Sequence, residues 1–284
     1  MKNKVAIVTG CSSGLGFSLT VKLIQAGYTV YATMRSPKTQ NRLEEACGHS
    51  KQLNVVFLDL SDEASVRRAA LDILSCEDKI DVLIHNAAAA LIGPPDSATT
   101  SEMEYLFRVN VISVVQLTQL LLPALKKHGS GHIVLVTSTS GVESAAYLGI
   151  YSATKFALES IGLSWATTMH KWNIKVTLIE PGAMNTNLSN SMQIGTFYQG
   201  MQDDPYGTFN INSCLFLKEC LKQGTDPDMV ANQITTILTS SDPKLRHQTC
   251  AYSRGLVERH LQEPQEATWI VDHREFIDSF YRKL

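Results

Sequence analysis

Two residues in the middle of the chain have the types and spacing needed for acid–base chemistry. Tyr151 and Lys155 are the ends of "YSATK", and in a helix residues four apart lie on one face, about one turn from each other. An ammonium close to a phenol favours the phenolate and lowers the phenol pKa, which is near 10 when unperturbed. The pair therefore predicts proton transfer to or from an oxygen atom, although by itself it is equally an ordinary surface pair.

A serine upstream of this pair could complete such a site. Ser138 follows the apolar run "HIVLVT" and precedes Tyr151 by 13 positions. Its hydroxyl can hydrogen-bond a substrate oxygen as negative charge develops there. Ser138 and Tyr151 are thus the predicted substrate contacts.

The first glycine-rich segment predicts a site for an anion. "TGCSSGLG" places Gly10, Gly14 and Gly16 directly after the apolar run "KVAIVT". Glycines let a backbone approach a pyrophosphate, and the N-terminus of the following helix adds free N–H groups and a positive dipole end. The G-x-x-x-G-x-G spacing alone is a moderate signal. Its position between a strand and a helix favours a dinucleotide.

The end of the second apolar run bears on which dinucleotide is bound. An acid at this position accepts hydrogen bonds from the ribose of NAD, whereas a basic residue accommodates the 2′-phosphate of NADP. "VYATMRS" contains Arg35 and no acid, and Ser12 in the glycine segment can donate to a phosphate. We therefore expect NADP(H) as the cofactor, with NAD(H) as the second choice. The alternative for Arg35 is a solvated loop cation.

Two further polar residues follow apolar runs. Asp59 in "LDLSD" can accept from an adenine amino group, or it can cap the helix predicted to begin near Asp62. Asn86 in "HNAAAA" is followed by small residues that allow a flat ring to lie against the backbone. The alternative for this second segment is a packing site beneath a helix.

The elements that must position these residues alternate along the chain. Short runs rich in Val and Ile are typical of strands buried in a parallel sheet. The predicted strands are 4–9, 28–33, 54–59, 81–86, 132–138 and 175–181, and the predicted helices between them include 14–26, 62–76, 102–127 and 151–171. This alternation predicts an α/β fold with a doubly wound, Rossmann-like parallel sheet.

The chain is expected to form one domain, residues 1–284. From about residue 187 the alternation stops, and the segment 187–284 has several prolines and helical patches near 212–223, 226–239 and 265–282. We interpret this segment as a substrate-binding extension and lid over the carboxyl edge of the sheet, where such folds bind their ligands.

Composition excludes several classes of function. The net charge of −2 leaves no basic surplus for a nucleic acid. The six cysteines form neither a CxxC pair nor a metal-ligand cluster, so we expect no metal site, reduced thiols and a cytoplasmic location. The apolar start is too short for a signal peptide, and the sequence predicts no transmembrane segment.

Taken as a set, the motifs resemble those of the short-chain dehydrogenase/reductase family over roughly the first 190 residues. The matching segments are "TGCSSGLG", "HNAA", "RVNV" with Asn110, "VTSTSG" with Ser138, "YSATK" and "EPGAMNT". Within the family, "VYATMRSPKTQNRLEEA", "GSGHIVLVTS", "YSATKFALES" and the late "HREF" resemble the branch of 17-beta-hydroxysteroid and retinol dehydrogenases.

The resemblance implies roles for individual residues. Asn110, Ser138, Tyr151 and Lys155 become the catalytic residues; Lys155 would also hold the nicotinamide ribose, and Asn110 would help to hold a water in a proton relay. Together with the observations above, the expected cofactor-binding residues are Gly10, Ser12, Ser13, Gly14, Leu15, Gly16, Arg35, Asp59, Leu60, Asn86, Tyr151, Lys155, Pro181, Gly182, Met184 and Thr186.

Local alternatives remain for several of these positions. Asn110 could be a buried helix Asn bonded to backbone, and the Pro-Gly turn could simply end a strand. Ala88 replaces the usual glycine of the family motif and narrows the space beside the ribose. The preceding His85 is expected to be a packed histidine.

The resemblance also implies a hydrophobic alcohol and its ketone or aldehyde as substrates, first of all steroid-like or retinoid-like ones. The residues expected to line an apolar pocket are Leu91, Ile92, Val142, Tyr147, Leu148, Met184 and those near "IGTFYQGM", with Glu275 at a distant polar group. The alternatives are a reductase of smaller or acyl carbonyls and a non-catalytic NADP(H) sensor. In such relatives the helices that correspond to 102–127 and 151–171 pair the subunits, so the resemblance also implies a homodimer.

Overall fold

The central element of the fold is a parallel sheet of seven strands. It is seen in a computed structural model that describes residues 3–127, 129–186, 193–194, 215, 219 and 223–262. The strands are β1 (Val5–Val8), β2 (Thr29–Met34), β3 (Leu53–Phe57), β4 (Val82–His85), β5 (Leu91–Ile92), β6 (Gly131–Val136), β7 (Ile174–Glu180), β8 (Gln193–Ile194) and β9 (Arg246–Gln248). Their order in the large sheet is β3-β2-β1-β4-β6-β7-β9, and β5 pairs with β8 in a second, two-stranded sheet.

All pairs in the large sheet are parallel, and their register brings the carboxyl ends of the strands to one edge. Val8 of β1 lies opposite Ala32 of β2 and Ile84 of β4. The strand order reverses between β1 and β4, and ligands of such sheets bind in the crevice at this switch point. The six predicted strands and the doubly wound fold are confirmed.

Helices cover both faces of the sheet. The α-helices are α1 (Gly14–Gln25), α2 (Gln40–Ala46), α3 (Glu63–Cys76), α4 (Thr100–Phe107), α5 (Ser113–Lys126), α6 (Gly149–Met169), α7 (Pro227–Thr239) and α8 (Ala251–Gln262). Short 3-10 turns lie at Pro37–Thr39, Pro95–Ser97, Thr139–Gly141 and His170–Trp172, and a π-helical turn, Arg108–Ile112, joins α4 to α5. Side chains cap the N-termini of α3, α4 and α7: Asp62 accepts from the N–H of Ala64 at 2.9 Å, Thr99 forms a capping box with Glu102, and Asp226 accepts from the N–H of Asp228 at 2.9 Å.

The core lies in two layers because side chains alternate across each strand. Ile7 of β1 and Leu83 of β4 face one layer, which packs against α3, α5 and α6. Val8 and Ile84 face the other layer, which packs against α1 and α7. Every strand from β1 to β7 in the large sheet contributes to at least one of these layers, which explains the apolar runs in the sequence.

The described part of the C-terminal extension belongs to the sheet and its helical layers. The expected helix at 226–239 is present as α7, but α7 packs beside α1 on the sheet, and β9 adds a seventh strand next to β7. This described part completes the sheet and its layers, and the expected lid over the carboxyl edge stays a prediction that falls largely outside the described residues. Strand β9 has the short, polar sequence "RHQ". Because it contains no apolar run, the sequence pattern did not predict a strand there. The predicted helices near 212–223 and 265–282 lie largely or wholly outside the described residues.

One helical run has the length and composition of a membrane span, and the expectation of no transmembrane segment stays a prediction. Thr100–Lys126 is, among the described residues, long and apolar enough by length and composition. Leu106, Leu117 and Leu121 of this run are buried in the protein interior. Core helices of soluble proteins meet the same criteria of length and composition, so the run is weak evidence for a span.

Candidate active site

Helix α6 brings Tyr151 and Lys155 together beneath the carboxyl ends of the strands. The two residues are 7% and 2% exposed, respectively. The Lys155 Nζ lies 5.6 Å from the centroid of the Tyr151 ring and donates a hydrogen bond of 3.0 Å to the carbonyl of Val136, the last residue of β6. The predicted helical pair is therefore a buried pair whose ammonium is fixed to the end of a strand.

The pKa of Tyr151 differs from the sequence-based expectation. Burial raises it to about 12, and the Ser138 side chain acts in the opposite direction. The expected lowering of the phenol pKa by Lys155 is wrong for this structure. Removing the phenol from water raises its pKa by more than the neighbouring groups lower it. Burial also lowers the pKa of Lys155 to about 8, while Glu159 raises it. At neutral pH the pair is thus a phenol beside an ammonium.

Ser138 is held next to this pair by a short turn. It begins the 3-10 turn Thr139–Gly141, and its hydroxyl accepts a hydrogen bond of 3.0 Å from the N–H of Ser140. A hydroxyl that accepts such a bond keeps its own proton to donate. A Cβ on Gly141 would lie 3.1 Å from the carbonyl oxygen of Lys155, so the turn sits directly on α6.

Asn110 is buried in the π-helical turn, and its amide is bonded to the protein. Its Oδ1 accepts from the N–H of Ala89 at 2.8 Å, while Nδ2 donates to the Ala89 carbonyl at 2.8 Å and to Thr154 Oγ1 at 3.0 Å. These bonds match the alternative of a buried Asn bonded to backbone. They also attach the loop after β4 to α6, beside Lys155. A role in a proton relay stays a prediction.

The glycine loop lies against the loop that follows β4. Gly10 has a φ of +75°, and a Cβ there would lie 2.9 Å from the Cα of Ala87. Gly16 packs behind the loop, where a side chain would meet the carbonyl of Gly10 and the amide of Asn86. Only glycine at these two positions lets the loop adopt this path.

Asn86 connects the two loops. Its Nδ2 donates to the carbonyl of Thr9 at 2.8 Å, and its N–H donates to Thr9 Oγ1 at 2.9 Å. Ala87 N donates to the same hydroxyl at 3.0 Å. Asn86 thus shapes the glycine loop in addition to lining the cleft, a structural task that its position after a strand did not reveal.

These loops enclose a cleft of about 370 Å³ at the carboxyl edge of the sheet. Most of the predicted cofactor residues line it. They are Gly10, Ser12, Ser13, Gly14, Leu15, Arg35, Asp59, Leu60, Asn86, Tyr151, Lys155, Met184 and Thr186. The cleft runs from a hydroxyl- and N–H-rich loop to a buried Tyr–Lys pair, and this donor set fits a dinucleotide.

Arg35 and Asp59, which follow β2 and β3, line the part of the cleft that is away from the Tyr–Lys pair. Arg35 follows β2, is exposed, and its Nη1 lies 3.4 Å from the hydroxyl of Tyr105 on α4. The carboxylate of Asp59 accepts from the N–H and the hydroxyl of Ser61 at 2.9 and 2.7 Å. Asp62 caps α3, so the capping alternative for Asp59 is excluded.

Sequence reasoning missed several residues of the cleft. They are Thr33, Met34, Leu58, Tyr105, Val109, Val136 and Thr137. All but Tyr105 and Val109 lie at or just after the ends of β2, β3 and β6, so strand ends alone could have indicated them. Tyr105 and Val109 come from the helical run opposite, and no local pattern indicates them. Ala87 and Ala88 also line the cleft, as their small size suggested.

The loop after β7 is held by the C-terminal extension. Thr225 N donates to the Ala183 carbonyl at 2.9 Å, and Asn185 N donates to the Thr225 carbonyl at 3.0 Å. Met184 and Thr186 thereby face the cleft. Pro181 and Gly182 do not line it: the carbonyl of Pro181 accepts from Thr139 N, and Gly182 packs toward α8. Their contact with a cofactor stays a prediction.

The predicted substrate residues separate into two groups. Leu91, Ile92 and Leu148 form a buried apolar cluster with Tyr151, against which Tyr147 packs. Val142 instead packs against Leu256 and Val257 of α8. Met184 lines the cleft, whereas Glu275 and most of "IGTFYQGM" lie outside the described residues.

His85 is a packed histidine, as predicted. It is 3% exposed, its Nε2 lies 2.8 Å from Thr118 Oγ1, and burial lowers its pKa to about 3. The ring is therefore neutral at physiological pH and does not supply an acid–base group.

Comparison with known proteins shows which family has a similar sequence. The model of the family described as short chain dehydrogenase matches residues 4–195. The chain is 31% identical to retinol dehydrogenase 8 of Homo sapiens, over 87% of this chain and 81% of that protein. It is 30% identical to 17-beta-hydroxysteroid dehydrogenase type 1 of Homo sapiens, over 97% of this chain and 86% of that protein.

A solved structure confirms the fold beyond the family motif. The crystal structure of a short-chain dehydrogenase from Streptomyces avermitilis superimposes with a TM-score of 0.82 at 29% identity, covering 96% of this chain and 98% of that one. The similarity therefore includes residues after the match of the family model.

Proposed function

This chain belongs to the short chain dehydrogenase family, and from that premise we propose that it is an NADP(H)-dependent oxidoreductase of apolar alcohols and their ketones or aldehydes. The observation that carries the proposal is the grouping of Tyr151, Lys155 and Ser138: Tyr151 and Lys155 line the same cleft as the glycine loop, and the Ser138 side chain hydrogen-bonds Tyr151. Steroid-like and retinoid-like compounds are the first candidates for the substrate.

The bound nicotinamide would supply a hydride to a carbonyl carbon or accept one from an alcohol. The glycine loop with Ser12 and Ser13 would hold the pyrophosphate, and Arg35 would face the 2′-phosphate. Asp59 would face the adenine. Lys155, whose ammonium is fixed at the end of β6, would orient the nicotinamide ribose.

Tyr151 is the acid–base group that gives a proton to the substrate oxygen or removes one from it. In carbonyl reduction the oxygen gains negative charge, Ser138 donates a hydrogen bond to it, and the phenol transfers its proton to it. A phenol whose pKa is about 12 carries that proton at neutral pH. Lys155 stabilises the phenolate left behind, and the reverse steps apply to alcohol oxidation. The buried phenol therefore suits reduction.

Two observations support an apolar substrate. The face of Tyr151 packs into the cluster of Leu91, Ile92, Leu106 and Leu148, so the reacting oxygen would lie beside apolar surface. The relatives described above are named for retinol and a hydroxysteroid.

We also propose a homodimer and a cytoplasmic location. Exposed apolar side chains on the predicted pairing helices support the dimer. Cys11, Cys47, Cys76 and Cys250 are free thiols, which is compatible with a reducing compartment.

The test uses purified protein, NADPH or NADH, and a panel of ketosteroids, retinal and smaller carbonyls. We expect turnover with NADPH, and we expect Tyr151→Phe to reduce kcat by about 100- to 10,000-fold, the usual contribution of a positioned acid. Binding of NADPH, followed by fluorescence, should change little.

Tyr28→Phe is the matched control, since Tyr28 is similarly buried but precedes β2 at the opposite edge of the sheet. Its turnover should equal that of the wild type. Absence of turnover across the panel, or turnover that survives Tyr151→Phe, contradicts the proposal.

A further inference from the structure

A buried charged cluster lies behind the catalytic helix. It consists of Glu159 on α6, Glu180 at the end of β7 and Arg246 at the start of β9. Glu159 is 4% exposed and Glu180 is fully buried. Arg246 Nη2 lies 3.2 Å from Glu159 Oε2, and Nη1 lies 3.3 Å from Glu180 Oε1. Two buried carboxylates thus share one guanidinium.

The cluster is adjacent to the proposed active site. Glu159 follows Lys155 by one helical turn and therefore lies on the same face of α6. A Cβ on Gly141 would be 3.0 Å from Glu159 Cγ and 3.1 Å from the Lys155 carbonyl oxygen, so the turn that begins at Ser138 packs on both residues. Gln248 holds the other carboxylate by donating from Nε2 to Glu180 Oε2 at 2.6 Å.

When both carboxylates are ionised, the charges of the cluster do not balance without Lys155. Two carboxylates and one guanidinium leave one negative charge, and a buried unpaired charge is costly. The Lys155 ammonium donates to the neutral carbonyl of Val136, which leaves its positive charge to be compensated through space. The other titratable groups that face these residues are Tyr151 on α6 and His247 on β9.

We propose that Glu159, held in place by Arg246, is a positioning residue that keeps Lys155 in its ammonium form. The carboxylate provides the compensating negative charge one turn below Lys155, and Glu180 and Gln248 anchor Arg246 from the other side. The inference rests on the proposed function, because Lys155 acts on the phenol and the ribose only while it is charged.

The titration behaviour agrees with this arrangement. Burial raises the pKa of Glu159 to about 7, with Glu180 acting in the same direction and Arg246 and Lys155 in the opposite one. Glu159 in turn raises the pKa of Lys155, which burial lowers to about 8. The two groups titrate close to each other, so loss of one charge changes the other.

The direct test follows the titration of Lys155 by NMR in protein labelled with 13C-lysine. The signal that disappears in Lys155→Arg identifies Lys155. In Glu159→Gln we expect its midpoint to fall by about one pH unit, the size that one nearby opposite charge produces. The alkaline limb of kcat, where Lys155 loses its proton, should move to lower pH by a similar amount.

Glu143→Gln is the matched control, since Glu143 is 5% exposed and pairs with Arg259 at 3.8 Å. It should leave the Lys155 midpoint unchanged, and Glu159→Asp, which retains the charge, should restore the wild-type value. A midpoint that does not move in Glu159→Gln overturns the inference and makes the cluster purely structural.

Once the Lys155 signal is assigned, the wild-type protein supplies a second measurement that does not depend on a change at Glu159. The Lys155 signal should show a second inflection near pH 7, where Glu159 ionises, and a single inflection overturns the inference. Because NMR requires no substrate, this result is separate from the proposed function, which fails by absence of turnover.

Discussion

At the residue scale, the proposed preference for NADP(H) over NAD(H) rests on the side chain that follows β2. Arg35 lines the cleft, and its guanidinium is directed across the opening toward the Tyr105 hydroxyl. The residues after Met34 are Arg35 and Ser36, so no carboxylate is present to accept from a ribose hydroxyl. A phosphate at this position would be bound by a charge-assisted hydrogen bond.

We expect Arg35→Asp to lower kcat/KM for NADPH by about 10- to 100-fold, since hydrogen bonds to charged groups contribute about 1.5–3 kcal/mol. The introduced carboxylate would also repel the phosphate, whereas kcat/KM for NADH should be retained or rise. Steady-state kinetics with both cofactors measures this change.

Lys38→Asp makes the same change of charge three residues away, on an exposed side chain that does not line the cleft. The Lys38→Asp substitution should leave the preference for NADPH over NADH nearly unaltered. Equal effects of the two substitutions would show that general charge, and not the position of Arg35, determines the preference.

At the element scale, the site depends on how closely α6 approaches the sheet. A Cβ on Gly162 would run into the side chain of Leu178 on β7 and lie 3.1 Å from Leu135 Cδ1 on β6. Both leucines are fully buried and cannot move into solvent. Gly162 therefore sets the height of α6 above the strands, and with it the position of Tyr151 and Lys155.

We expect Gly162→Ala to lower the free energy of unfolding by about 1–3 kcal/mol, the usual cost of overpacking a core. It should also reduce kcat, because α6 must move away from the sheet. Urea denaturation and turnover measurements on the same preparation test both effects.

Gly255→Ala on α8 is the control, since an added Cβ there meets nothing within 4 Å. Alanine in a helix should raise stability by about 0.5–1 kcal/mol at this position. If Gly162→Ala behaves like Gly255→Ala, the close approach of α6 is not what positions the site.

At the scale of the whole molecule, apolar side chains remain exposed on the helical surfaces that the sequence predicts to pair subunits. Ile112 in the π-helical turn is 46% exposed, and Phe156 and Leu163 of α6 are 43% and 40% exposed. Phe156 lies directly after Lys155, so a subunit interface at this face would lie immediately behind the proposed active site.

We expect the wild-type protein to sediment as a dimer, and the combined Phe156→Glu and Leu163→Glu variant to sediment as a monomer. Burying two carboxylates in an apolar interface is strongly unfavourable. Analytical ultracentrifugation over a range of concentrations measures the dissociation.

Leu71→Glu serves as the control because Leu71 is 57% exposed but lies on α3. This variant should remain a dimer. A wild-type monomer, or a dimer that persists in the double variant, would reject these helices as the interface.

Much of the fold was predictable because it rests on local patterns. The runs that became β1, β4 and β6 are apolar on both faces, as strands covered by helices on both sides require. By contrast, β9 has polar residues and only three positions, and its place beside β7 depends on pairing across the sheet. The sequence therefore did not predict that the described part of the extension belongs to the sheet, and the lid stays a prediction.

The sequence by itself determined the order of the elements, the glycine loop and the spacing that puts Tyr151 and Lys155 on one face of α6, since each depends only on neighbouring residues. Tertiary structure decided the rest. Burial, which no motif reveals, raises the pKa of Tyr151 instead of lowering it. The contacts of Asn86 with Thr9 and of Glu159 with Arg246 join residues far apart in the chain. Such proximity and burial exist only once the sheet has formed.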